Sequence, residues 1–330
     1  MAQGGSILGA YTELTEEALS AIGRNYGFTN ITYRNVASGI ANSTYVLKTD
    51  QGKFVLTIFE QGEGSEVHTK ETLDYLEKHN FLAPRRIRRA NGAPDLFVSG
   101  KPTLIMEYKE GLIYPDMPTP IEHLCEIGAT LAKLHKVPIP NFFKRNTRVI
   151  PRKWSDNSRM TDPNLRILIR EVLQYQMSWK QLPDVFIHGD PFGDNFIYLD
   201  LDRTQNDHKI VTIDWATATR APAIIDIAMA LIGNCRTTSN TFDPLRVQEI
   251  IEGYKLERGV ELSEMEKLLL PAALKYSNAL LAYKRHIKQD AQNPDGHKEL
   301  LELADKIPDS YHELISGPQL DLTLGLFPLS

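Results

Sequence analysis

Two short stretches of this chain hold the residue types that could do chemistry. The first reads His188-Gly189-Asp190-Pro191-Phe192-Gly193-Asp194-Asn195, running into the apolar stretch 196–199. The second, after a polar turn over 200–207, is Ile210-Val211-Thr212-Ile213 followed by Asp214-Trp215. Two apolar runs joined by a turn pair antiparallel, so the start of one lies beside the end of the other. That places Asn195 next to Asp214, with Asp190 on the loop that enters the hairpin. A carboxylate with a side-chain amide oxygen is a hard-oxygen donor set, suited to Mg²⁺ whose remaining positions are filled by phosphates. A second carboxylate within reach can orient a hydroxyl and take its proton. Together these are the parts of phosphoryl transfer. Asp and Asn singly are common turn and cap residues, but the full string is far rarer than either.

The elements that position these residues change character along the chain. The sequence has 330 residues, 42% hydrophobic and 24% charged, with a net charge of −5. These values exclude disorder, collagen and coiled coil as the main architecture, and they lack the basic excess of a nucleic-acid binder. Two cysteines, Cys125 and Cys235, make no disulfide framework, so a cytoplasmic location is expected. No leader pattern and no apolar run of bilayer-spanning length is present, so no membrane partner is expected. Residues 12–26, opening with Thr12 and Thr15-Glu16-Glu17, read as a capped amphipathic helix. Strands are predicted over 31–36, 44–47, 54–59, 96–98 and 103–108, with a helix over 66–79. After Gly111 the pattern turns helical: a helix through Ile121 to His135, then others near 163–180, 222–234, 244–257, 263–289 (broken or kinked at Pro271) and 297–306. One β island, 185–213, interrupts them. The expected layout is α+β, with a β-rich lobe over 1–108, a crossing segment near 106–111, and a helical lobe over 112–330. A cleft between such lobes is where small ligands bind.

His188-Gly189-Asp190-x4-Asn195, with Ile213-Asp214-Trp215 downstream, resembles the aminoglycoside phosphotransferase and choline kinase superfamily, enzymes of the protein-kinase-like two-lobed fold. The resemblance covers essentially the whole chain. It implies ATP and Mg²⁺ as cofactors, Asp190 as the catalytic base, and Asn195 and Asp214 as the metal ligands. It implies that Asp226 supports the catalytic loop, with His188 bracing it. The loop Ala37 to Thr44 would cover the phosphates, through Ser38, Gly39, Asn42, Ser43 and Thr44. Met106, Glu107 and Tyr108 would be the hinge whose backbone bonds the adenine edge.

One position departs from the kinase pattern. A strand lysine ordinarily binds the phosphates, but the matching strand reads Val55-Leu56-Thr57-Ile58-Phe59-Glu60. Lys48 and Lys53 are the nearest cations in sequence. Thr57 motivates one alternative, a nucleotide-binding module without catalysis. The same stretch, with Gly39-Ile40-Ala41-Asn42-Ser43, resembles the homoserine kinase branch of the superfamily. The acceptor that branch implies is L-homoserine, and the other acceptors in view are an aminoglycoside, choline, ethanolamine, hydroxylysine or a sugar. A zwitterionic acceptor needs a cation for its carboxylate, and Arg220, Arg236, Tyr283 and Arg285 are the substrate-site candidates. A small-molecule substrate, no nucleic acid, and a monomer or homodimer complete the expectation. His135 reads as packing, the run Arg85-Arg86-Ile87-Arg88-Arg89 as a solvated turn, and the apolar tail 320–329 as docked on the helical lobe or a dimer contact.

Overall fold

A computed structural model describes residues 12–36, 42–60, 65–89, 92, 96–114, 118–143, 160–199, 210–288 and 296–316. In chain order the elements are α1 (Glu16–Tyr26), β1 (Thr32–Asn35), β2 (Ser43–Thr49), β3 (Gly52–Ile58), α2 (Ser65–Lys78), β4 (Phe97–Val98), β5 (Lys101–Glu107), α3 (Leu124–Lys136), α4 (Pro163–Leu173), α5 (Gln176–Trp179), β6 (Asp184–Ile187), β7 (Phe196–Tyr198), β8 (Ile210–Thr212), β9 (Thr219–Pro222), α6 (Ala223–Asn234), α7 (Pro244–Arg258), α8 (Glu264–Lys288), α9 (Gly296–Asp305) and α10 (Tyr311–Ser316). They fall into two compact units, Met1–Asp116 with Asp194–Ala218, and Met117–Gly193 with Thr219–Ser330. The β island of the sequence is therefore divided. β6 pairs with β9 in the second unit, and β7 pairs with β8 in the first.

The first unit is built on an antiparallel sheet in the order β1-β2-β3-β5-β4. Thr15 caps α1, its hydroxyl accepting from the Ala18 N–H at 3.2 Å, and Gly27 ends the helix in the left-handed conformation. Ile22 and Phe28 then reach one face of the sheet, against Leu47, Leu56, Ile58 and Ile105. Each such buried side chain stabilises the fold by about 1.5–3 kcal/mol. The β7–β8 hairpin belongs to this unit through Trp215, whose ring meets Phe81 edge-on at 5.6 Å, and through Leu112, which pairs with Tyr198. The basic run 85–89 is not a turn, although Arg85 and Arg88 are exposed. Arg85 O accepts from Glu107 N and Ile87 N donates to Ile105 O, so the run extends along β5. Arg86 and Arg88 both bond Asp74 of α2, at 2.6 and 2.8 Å, which pays the charge its partner.

In the second unit α3 and α7 cross with their backbones in contact. A methyl group on Gly128 would lie 2.0 Å from the Ile250 carbonyl oxygen, and one on Gly253 would lie 1.8 Å from that of Cys125. α6 is apolar on nearly every side and buried along nearly its whole length, so it forms the centre of this unit. α8 runs through Pro271 as one helix, where the sequence suggested a break or kink. Proline there removes only one ladder bond, and Leu270, Ala273 and Leu274 around it are fully buried. The stretch expected as one helix near 163–180 is two, α4 and α5. Residues 320–329 lie outside the described residues.

Candidate active site

The first unit contains a cavity of about 480 Å³. Its lining includes apolar side chains: Val36, Val46 and Val55 from the sheet side, Ile197 and Ile213 from the hairpin. Branched apolar side chains of this kind suit a planar ring. Met106, Glu107 and Tyr108 also line it, and Asn42, Thr44, Thr57 and Thr69 add amide and hydroxyl groups to the lining. The Glu107 N–H is committed to the Arg85 carbonyl at 2.9 Å, so a ring edge bonded by this segment must use its neighbours.

Asn195 and Asp214 both wall this cavity. β7 and β8 are antiparallel with Phe196 opposite Thr212, and Ile213 N donates to Asn195 O at 3.0 Å, so the two residues sit side by side at one end of the hairpin. Asp214 has φ of +59°, a conformation that strains a residue with a side chain. Its neighbour Trp215 holds it, being wholly buried with its indole N–H on Thr212 O at 2.9 Å. An exposed carboxylate beside an amide oxygen, on one cavity wall, is a donor set that fits Mg²⁺ when phosphate and water oxygens complete the shell. Clusters of three His, Cys, Asp or Glu, the pattern of an all-protein metal cage, are absent among the described residues.

Of the phosphate-loop candidates, Ser38 and Gly39 lie outside the described residues. Asn42 and Thr44 line the cavity. Ser43 is fully buried and is engaged elsewhere: its hydroxyl bonds Glu60 and accepts from Thr12 N at 3.0 Å. Lys101 joins the same cluster, bonding Glu60 and the Thr12 hydroxyl. Burial raises the Glu60 carboxyl, but hydrogen bonds from Lys101, Ser43 and Thr12 outweigh it and hold the group below the usual carboxylate range. Neither Lys48 nor Lys53 is among the residues that line the cavity. Lys53 bonds Glu110 at 3.0 Å and lies 5.2 Å over the Tyr108 ring. Arg34 and Lys109 line it instead. Arg34 was legible in principle, since it shares a strand face with Val36 two residues on.

The loop carrying Asp190 is fixed within the second unit. Asp226, fully buried, accepts from the N–H groups of His188 and Gly189 at 2.9 and 2.7 Å, and bonds His135 Nε2 at 3.2 Å. Burial alone would raise its carboxyl; the hydrogen bond and charge of His135 and the Gly189 N–H hold it below the usual range. His135 Nδ1 bonds the Tyr254 hydroxyl at 2.9 Å. The Asp190 N–H donates to His188 Nδ1 at 3.2 Å, so the His188 proton sits on Nε2. Asp190 itself is half-buried.

The four substrate-site candidates are placed differently. Arg220 is paired with Asp184 at 3.0 Å, between β9 and β6. Tyr283 is buried on α8. Arg236 and Arg285 both reach the first turn of α9, Arg236 lying 3.9 Å from the Glu299 carboxylate and Arg285 donating to Gly296 O at 3.0 Å.

The chain is similar to known proteins over most of its length. The chain is 27% identical over 277 residues to the homoserine kinase of Rhodopseudomonas palustris strain BisB18, covering 80% of this chain and 82% of that one. Among solved structures, a microcompartment-associated aminopropanol kinase superposes with a TM-score of 0.66 at 16% identity, over 88% of this chain and 95% of that one. An amicoumacin kinase in complex with AMP-PNP, Ca²⁺ and Ami superposes at 0.63 and 15% identity, over 91% and 96%. The fold is thus α+β and protein-kinase-like, with a small antiparallel-sheet unit and a larger, mainly helical one. The pattern of the phosphotransferase enzyme family matches residues 32–265, a span that holds the cavity, Asp190, Asn195, Asp214 and Asp226, and the chain belongs to that family as a small-molecule kinase.

Proposed function

We propose that this kinase transfers the terminal phosphoryl group of ATP to the side-chain hydroxyl of L-homoserine, giving ADP and O-phospho-L-homoserine. The observation that carries the reading is the cavity of the first unit, lined by valines and isoleucines and bearing Asn195 and Asp214, with Asp190 five residues upstream of Asn195 on a loop held by Asp226. The ATP assignment is supported by the AMP-PNP held by the amicoumacin kinase. The acceptor assignment is supported by the homoserine kinase relative, which this chain matches over four-fifths of both lengths.

In this reading the adenine ring lies between the valines of the sheet and the isoleucines of the hairpin. Asn42, Thr44 and Thr57 offer side-chain donors to the phosphates, and Arg34 and Lys109 supply positive charge along the cavity wall. Asn195 and Asp214 are the residues that would hold Mg²⁺, which when bound neutralises phosphate charge. Asp190 orients the acceptor hydroxyl and takes its proton as the oxygen attacks. Positioning and electrostatics account for most of the rate in such transfers. His188 and Asp226 keep Asp190 in place and do not touch substrate.

A coupled assay with ATP and a panel of L-homoserine, choline, ethanolamine, an aminoglycoside and hydroxylysine tests the reading. Homoserine is expected to show the highest kcat/KM. A higher value for another acceptor removes the homoserine assignment, and no transfer to any of them favours a non-catalytic nucleotide-binding module.

A further inference from the structure

Two guanidinium groups of the second unit converge on the start of α9. Arg236 follows Cys235, the residue that caps α6. Its Nη2 donates to Asn240 Oδ1 at 2.6 Å and lies 3.9 Å from the Glu299 carboxylate. Its Nε–H is buried and meets no acceptor among the described residues, an arrangement that is costly and uncommon in native structures. Arg285, in the last turn of α8, spends one nitrogen on the Gly296 carbonyl. Burial lowers the Arg236 guanidinium, Glu299 draws it up and Arg285 pushes it down, leaving it below the ordinary arginine value, so the two cations feel each other.

This pair is tied to the loop that carries Asp190. Asn234, two residues before Arg236, donates to Pro191 O at 3.2 Å, and Gly233 packs on the Phe192 ring with no room for a side chain. Two other arginines of this unit are spent within the fold. Arg246 donates to the carbonyls of Asn234 and Thr119, and Arg220 is paired with Asp184.

We propose that Arg236 and Arg285 form the carboxylate-binding site for the acceptor, which is therefore an alcohol that also carries a carboxylate, with Glu299 available to an acceptor ammonium. A planar guanidinium matches a carboxylate in shape and charge. A cationic acceptor such as choline brings the pair no carboxylate beyond Glu299 and adds a third positive charge beside it. The inference rests on the kinase reading above and narrows its acceptor, but it does not require homoserine.

The test compares L-homoserine with 3-aminopropan-1-ol, which is homoserine without its carboxylate, in the wild type, Arg236→Met and Arg285→Met, and adds L-serine and hydroxylysine as other carboxylate-bearing alcohols. Each acceptor is also titrated calorimetrically, and the KM for ATP is measured throughout. The wild type is expected to prefer homoserine, and Arg236→Met to lower homoserine kcat/KM by roughly 100-fold, as removal of a hydrogen-bonded charge partner does. The preference over aminopropanol then collapses toward parity while the KM for ATP holds. Arg285→Met is expected to shift the preference in the same direction by a smaller factor, which keeps the test informative if Arg236→Met folds poorly. If serine or hydroxylysine replaces homoserine as substrate with the same arginine dependence, the homoserine assignment fails and this inference stands. A wild type that prefers aminopropanol, variants that lower both acceptors equally, or no turnover or binding of any carboxylate-bearing alcohol overturns it.

Discussion

Asp226 shows how one buried carboxylate can decide the placement of another that does chemistry. It bonds two consecutive backbone N–H groups just before Asp190 and a histidine behind them. Replacing it by Asn leaves an amide N–H₂ facing donors, and breaking a buried charged network of this kind costs about 3–5 kcal/mol. Asp226→Asn is expected to lower Tm and to reduce kcat more than the KM for ATP, measured by thermal unfolding and steady-state kinetics. The pH dependence has a definite sign. The Asp226 carboxyl is lower in the folded protein than its unfolded value of about 3.9. The stability it lends is whole above that value and is lost as pH falls through the folded pKa. Acid unfolding followed by circular dichroism should steepen below about pH 4, and the Asn variant should show a flatter acid limb. At this scale much of the site was legible. Asp190, Asn195 and Asp214 stand out by type and spacing, whereas Asp226 entered only through the family resemblance. Ser43 misled, because a hydroxyl next to a phosphate loop reads the same whether it faces the cavity or, as here, Glu60. Glu60 and Lys101 are far apart in the sequence, so their meeting has no local signal.

Between elements, the α3–α7 crossing depends on two glycines that let main chains touch. Gly128→Ala and Gly253→Ala each push a methyl group into a carbonyl oxygen. Overpacking of this kind costs roughly 1–3 kcal/mol, and a backbone contact that cannot yield puts these two at the upper end. A Tm loss of several degrees is expected for each, with less than additive loss in the double variant, because both act on one contact. The strands of the five-stranded sheet and most of the helices were readable from periodicity and turn residues, but the division of 163–180 into α4 and α5 and the short α10 were not. Nor was β9. Thr219-Arg220-Ala221-Pro222 has one β-branched residue and ends in proline, and it becomes a strand only because β6 is there to pair with it. The continuity of α8 through Pro271 was hidden for a similar reason: the burial of the surrounding leucines and alanines outweighs the lost ladder bond.

At the level of the whole molecule, nucleotide binding should register unevenly. A ligand that binds the folded form at 100 times its Kd stabilises it by about 2.7 kcal/mol. Hydrogen exchange with ATP and Mg²⁺ added is therefore expected to slow most in β2, β3 and the β7–β8 hairpin, which wall the cavity, and least in α7 and α10. Asp190→Asn should preserve that protection while lowering kcat by roughly 100- to 10,000-fold. Equal protection of all elements would argue against the cavity as the nucleotide site.

The first unit is assembled from two stretches of polypeptide that are far apart in order, with Asp194–Ala218 returning to complete it. Linear cutting of the gene therefore cannot isolate it. A fragment ending near 116 would leave behind Asn195, Ile197, Ile213, Asp214 and Trp215, and with them part of the cavity wall. A minimal, independently folding version would have to graft the 194–218 ribbon onto the end of the first segment through a new linker. Exchange of this module between related proteins likewise requires two crossover points rather than one.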